Sequence, residues 1–330
     1  MKADELKTLL KDYSKDELIK LYSRTYRMVP KERRETELDE MIRNPEVKTV
    51  PKKKTLDFDV VKEDVLLFES EARQQLYLRR NRGISEKRRR NWRFDVKRNI
   101  SFLEQIPEGD ENHTAATELL LKIYDVLSTG CGIWLFSTDQ PFQSVGIPQA
   151  ELFETLCRHV LAEPGRPEFR DQLIRQACAC SLDAVTLHQE LISILVSIFD
   201  TQSLRDDIIT RTKKIILEEK KKIQGRNSRY IGSEDYWIRD SINKFTLLVL
   251  YALILSEKAE EGCTFFWEND QNDPAEVSLN ILLNVLKLFK RFDLWVKEYE
   301  NAVRKRKINP RDSLKKEYAE FKEYLALQKE

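Results

Sequence analysis

Apolar positions along this chain recur at steps of three and four residues for most of its length. Leu18, Leu21, Tyr22 and Tyr26 follow "SKDE" at Ser14–Glu17, whose spacing predicts a capping box at a helix start. "MVP" at Met28–Pro30 ends that helix, and a short third helix is expected over 31–42. The polar "NPEVKTVPKKKT" of residues 44–55 has no periodicity and reads as a linker. A long helix is expected from Phe58 to Leu78, then a turn at Asn81–Gly83 and a new helix from Ser85. On that helix Trp92, Val96, Ile100 and Leu103 form one apolar stripe.

Further helices are expected over 114–127, 149–162, 167–179, 183–200, 203–224, 234–258 and 274–303, and a last one after Asn309–Pro310. The stretch Ser128–Gln149 breaks the pattern. It holds three of the nine glycines, with Trp134, Phe136 and Phe142 among them, and predicts a partly buried irregular connection. "FTLLVLYALIL", Phe245–Leu255, is apolar all round and too short to span a bilayer, so it reads as a buried core helix.

Only 9 glycines and 10 prolines occur in 330 residues, which disfavours the many turns of a sheet-rich fold. The expectation is an all-α protein without substantial sheet, built as a multi-helix bundle or as irregular stacked helical pairs. Its expected divisions are an N-terminal helical unit (1–43), the linker (44–55) and a main helical domain (56–330), which divides further near 108–148 and 225–233. The charged N-terminus has no apolar stretch of the kind a signal peptide needs, and the five cysteines suit a reducing cytoplasm.

Net charge is +1, but it is distributed unevenly. Residues 1–107 carry 27 basic and 20 acidic side chains, 108–203 carry 5 and 14, and 204–330 carry 25 and 22. The centre of the basic excess is "RRNRGISEKRRRNWRFDVKR", Arg79–Arg98, where ten of twenty residues are Lys or Arg. Arg89, Arg93 and Lys97 fall at helical spacing, and Arg90, Phe94 and Arg98 form a second row. Clustered cations displace condensed counterions from neighbouring phosphates, and an outward aromatic among them can stack on an unpaired base. The candidate contacts are therefore Arg88, Arg89, Arg90, Arg93, Phe94, Lys97 and Arg98, and the expected partner is nucleic acid or an acidic protein. The competing expectation is a solvated or internally paired helix face, with "EDVLLFESE" just upstream supplying carboxylates. Two weaker basic clusters, Arg211–Arg229 and "RKRK" at Arg304–Lys307, sit at helix ends, where the dipole favours cations anyway.

"LKTLLKDYSKDELIKLYSRTYR", residues 6–27, resembles the opening of some bacterial proteins of unknown function, and so does "KRRRNWRFDVKR", residues 87–98. The likeness covers about a tenth of the chain. It implies a bacterial cytoplasmic helical protein and supplies no activity.

Catalytic signatures are missing. His113, His159 and His188 show no metal-ligand spacing, and Cys178 and Cys180 are one residue too close for a CxxC pair. No phosphate loop, dinucleotide fingerprint or serine elbow occurs. No catalytic residue, metal or cofactor is expected. The reading is a non-enzymatic binding protein, with an interaction scaffold or homo-oligomer as the alternative.

Overall fold

The computed structural model describes residues 3–29, 34, 38, 39, 42, 57–223, 233–272 and 274–328. The linker at 44–55, most of the expected helix at 31–42, nearly all of the boundary at 225–233, and Arg226 and Arg229 lie outside the described residues. Fifteen α-helices occur among the described residues. Among the described residues extended pairing is limited to one isolated parallel bridge, between Tyr77 and Phe136, and the fold is all-α. The chain divides into two compact units, Met1–Asp57 and Phe58–Glu330.

The first unit contains α1 (Ala3–Leu10) and α2 (Lys15–Met28). Ser14 caps α2 as its spacing predicts. The Glu17 N–H donates to Ser14 Oγ at 3.4 Å, and the Ser14 N–H donates to Glu17 Oε2 at 2.9 Å. No residue of α2 is buried, and Leu6, Leu10, Leu18, Ile19 and Tyr22 line an apolar groove of about 660 Å³.

The second unit is organised around two helices that are apolar on nearly every side. These are α5 (His113–Gly132) and α11 (Ser233–Leu255). Every residue from Phe245 to Leu253 on α11 is buried, as expected of a core helix. Around α5 pack α3 (Phe58–Arg73), α4 (Glu86–Leu103), α6 (Pro141–Val145), α7 (Gln149–Leu161) and α8 (Pro167–Ala179). Around α11 pack α8, α9 (His188–Ile198), α10 (Gln202–Ile223) and α12 (Ala259–Asn269), so α8 bridges both cores. Then α13 (Ala275–Leu288), α14 (Phe292–Arg304) and α15 (Asp312–Leu327) follow as an end-to-end series of packed neighbours.

Several expectations need correction. The helix expected over 183–200 begins only at His188, and the one expected over 114–127 runs on to Gly132, into the stretch read as irregular, which also holds α6. Three further helices break early. The helix from Phe58 ends at Arg73, not Leu78; 234–258 ends at Leu255, and a separate α12 follows; 274–303 is broken between Leu288 and Phe292. Each break has the same construction. Gln75, Glu257 and Lys290 adopt left-handed backbone (φ 58°, 61° and 56°), and the next residue's N–H returns to the carbonyl five positions back. These are Schellman ends, in which a non-glycine residue takes the position that glycine usually fills. With so few glycines in the chain, the stops carry no glycine mark to read.

Candidate functional site

The basic segment is mounted on an aromatic frame. Trp92 points inward from α4 and stacks on Phe136 with ring centroids 4.3 Å apart, while Phe68 and Tyr77 complete the cluster. Close approach of the Phe136 ring requires Gly130, because a Cβ there would lie 2.7 Å from it. The Tyr77–Phe136 bridge and a hydrogen bond from Ser137 Oγ to the Tyr77 carbonyl (3.2 Å) fasten the α3–α4 connector to the 133–140 segment. The connector itself is pinned by Asn81, whose Oδ1 accepts from the Gly83 N–H at 2.7 Å, in the expected turn. Ser85 caps α4 by accepting from the Arg88 N–H at 3.3 Å.

The structure gives the candidate residues different fates. Arg88 Nε lies 3.0 Å from Oε2 of Glu71, a carboxylate only 6% exposed that also accepts from the Tyr77 hydroxyl at 2.7 Å. Burial and the Glu71 carboxylate push the Tyr77 phenol far above its ordinary value, so it stays a donor. Arg98 pairs with Asp64 at 2.9 Å and with Asp95 at 3.3 Å, and Arg90 pairs with Glu86 at 2.6 Å. The upstream acidic run thus neutralises part of the basic helix. Arg89 donates to the Ile84 carbonyl at 2.6 Å and Lys97 to the Gly146 carbonyl at 3.3 Å, which leaves both charges uncancelled. Arg93 lies over the Phe94 ring at 4.8 Å, and Phe94 is 59% exposed.

Three of the candidates, Arg89, Arg90 and Arg93, meet in one cleft of about 600 Å³. Arg79 and Arg82 from the connector join them there. Glu86 is the single carboxylate on its lining and is taken up by Arg90. Arg79, Arg82 and Arg93 form no ion pair among the described residues. The hydroxyls of Ser137, Thr138 and Ser144 close the opposite wall. Among the described residues the charges of Arg79, Arg82, Arg89 and Arg93 therefore stand unbalanced around this volume. Arg88, Phe94 and Arg98 line a second cleft, of about 480 Å³, on the α3 side of α4.

Arg79 and Arg82 lie inside the basic stretch quoted from the sequence but outside the expected helix, so helical spacing missed them. The three hydroxyls come from the irregular connection some fifty residues away, and no local pattern announces that approach. The acidic segment 108–203 contributes no ion-pair partner to Arg79–Arg98. It is engaged elsewhere, for example by Arg73 on Asp125 (2.8 Å).

The other basic clusters are partly paired or dispersed. Arg211 holds both Asp207 (2.9 Å) and Asp171 (3.0 Å), Lys213 faces Glu261 at 3.5 Å, and Lys222 binds Glu219 at 2.7 Å. Arg306 lies over the Trp267 ring at 4.1 Å, and with Lys305 it lines a separate cleft.

Two histidines that are distant in sequence do meet. His113 and His159 stack with centroids 4.9 Å apart, and His113 Nδ1 is 2.6 Å from Glu163 Oε1. Burial, then the neighbouring His113, lowers the His159 imidazole. Burial raises the Glu163 carboxyl, but hydrogen bonds from His113 and Thr114 outweigh it and hold the group below its ordinary value. No group of three metal-capable side chains occurs among the described residues. Cys178 is fully buried, and burial pushes Cys180 up to about 11, which suits packing rather than nucleophilic attack. No helix among the described residues is long and apolar enough to cross a membrane. No known protein family matches the chain, and no curated protein or solved structure is detectably similar to it.

Proposed function

We propose that the second unit is a non-enzymatic helical binding module whose arginine cleft takes up the phosphates of a nucleic acid. The observation that supports this most is the set of guanidinium groups of Arg79, Arg82, Arg89 and Arg93, left without carboxylate partners on one preformed cleft. A fold that supplies partners to Arg88, Arg90, Arg98 and Arg211 withholds them here. Like charges this close repel one another, and a polyanion relieves that repulsion. Arginine forks suit phosphate oxygens; on the facing wall Ser137 and Ser144 already donate to the Tyr77 and Gln140 carbonyls, and Thr138, which accepts from the Gln140 N–H, keeps its proton for a further acceptor. The setting in this reading is the bacterial cytoplasm, where the five unbridged thiols remain reduced.

Fluorescence anisotropy with a labelled oligonucleotide, titrated at several salt concentrations, tests the proposal. With about four phosphates engaged, the log–log slope of affinity against salt is about −3 to −4. A salt-insensitive affinity, no binding, or displacement by poly-glutamate as readily as by nucleic acid refutes it; the last result assigns the cleft to an acidic protein.

An interaction scaffold is the second reading. It rests on Trp134 and Val185, 68% and 80% exposed, carried with Ile133 and Leu187 on two segments joined by the hydrogen bond from the Ala184 N–H to Gln140 Oε1 (3.1 Å). Light scattering without nucleic acid tests it: self-association that Trp134→Ser abolishes supports a scaffold.

A further inference from the structure

Phe94 has no structural reason to be where it is. It lies off the apolar stripe of Trp92, Val96, Ile100 and Leu103, all of which are buried, yet it keeps most of its ring in solvent. It stands on the ridge of α4 between the two clefts. Its neighbour Arg93 opens onto the arginine cleft, and Phe94 itself lines the cleft on the α3 side. Leu67 gives that second cleft another exposed apolar surface, and Asn91 lies on the same lining with an amide that makes no hydrogen bond among the described residues. The two acidic groups there, Asp64 and Asp95, are both held by Arg98.

We infer that the nucleic acid bound by this protein is single-stranded, with its phosphates in the arginine cleft and an unstacked base laid on Phe94 in the adjoining cleft. The inference rests on the phosphate-binding reading and narrows it to one class of ligand. Adjacent residues on one helix turn place a cationic slot and an aromatic platform side by side, as a phosphate and its base are placed in a strand. In a duplex the base faces are sealed in the stack, so an aromatic at the protein surface gains nothing from them. The Arg93 guanidinium over the ring covers one face and leaves the other for a base, and it adds its own charge to the phosphate slot. Asn91 has both a donor and an acceptor to offer the base edge.

The test compares a labelled single strand with a duplex of equal length against the full chain and its Phe94→Ala variant. Single-strand affinity falls roughly 5- to 100-fold, as the loss of one stacked base requires. Duplex affinity stays within about twofold, and the salt slope does not change, because the arginine contacts are untouched. Phe94→Trp retains single-strand binding. Phe94 is exposed, so the substitution removes no core side chain, and unchanged duplex binding by the variant reports an intact cleft. Equal losses on both ligands, or no loss on the single strand, overturn the inference. If an Arg79→Ala/Arg82→Ala/Arg93→Ala variant loses nucleic acid while Phe94→Ala is silent, base stacking falls and phosphate binding stands. If neither ligand binds the wild-type chain, both fall together.

Discussion

Arg79–Arg98 and the cluster that begins at Arg211 on α10 look alike in sequence, each a dense run of cations on or beside a helix. The fold treats them differently. On α10 the neighbouring elements present Asp171 and Glu261 and the helix itself Asp207 and Glu219, so Arg211, Lys213 and Lys222 are paired, while Lys220 donates to Asn269 and Lys214 and Lys221 form no ion pair among the described residues. On the connector and α4, the carboxylates of α3 reach Arg88 and Arg98 only, on the far side of the helix. Charge density along a chain therefore says little about function; what matters is whether the elements folded against it bring acid to the same face.

The largest effect that tests this contrast comes from removing the frame. Trp92→Ala deletes the ring stacked on Phe136 and should lower the free energy of unfolding by about 3–5 kcal/mol, read from chemical denaturation. The cleft's binding should suffer with it, whereas a frame that tolerates the change would show that the arginines do not need it.

The next effect is on affinity. Arg79→Ala/Arg82→Ala/Arg93→Ala should weaken nucleic-acid binding roughly 10²-fold near 0.1 M salt and flatten the salt slope by about 3. The matched variant on α10, Arg211→Ala/Lys213→Ala/Lys222→Ala, removes cations that are already paired and should leave both unchanged. Equal losses from the two triples would erase the distinction between open and quenched clusters.

Smaller effects concern the scaffold that separates the two regions. Gln75→Gly, at the start of the connector, relieves left-handed strain and should stabilise by about 0.5–1 kcal/mol, as should Glu257→Gly beyond α11. Calorimetric melting of the two variants checks this.

The smallest effect is the pH dependence. Burial lowers His159 and His188, so the unfolded chain takes up their protons first as pH falls. Stability is fully present above the ordinary histidine value near 6.5 and is lost as pH falls below it toward the depressed folded values. Guanidinium groups do not titrate there, so affinity for a polyanion should hold between pH 8 and 6 while the denaturation midpoint declines. His159→Phe should flatten that decline.

Much of the helical architecture was legible, because repeated apolar spacing survives whatever the tertiary arrangement. The Ser14 cap, the helix start near Ser85, the inward stripe of Trp92 and Ile100 and the buried Phe245–Ile254 segment all follow from local patterns. The breaks at Glu257 and Lys290 did not show, since charged residues at left-handed positions carry no compositional mark. The site was half legible. Outward arginines could be read from helical spacing, but their partners could not, because Glu71 and Asp64 reach Arg88 and Arg98 from another helix. Nor could the approach of Ser137 to Arg79, which depends on how a glycine-rich connection folds back onto the α3–α4 connector.

The bridge between Tyr77 and Phe136 has a kinetic consequence. It fastens two loops to one another, so the backbone that carries Arg79 and Arg82 is already tied to the 133–140 segment before a ligand arrives. Capture should then be governed by long-range attraction alone, with an association rate constant approaching about 10⁸ M⁻¹s⁻¹ at low ionic strength and dropping as salt is added.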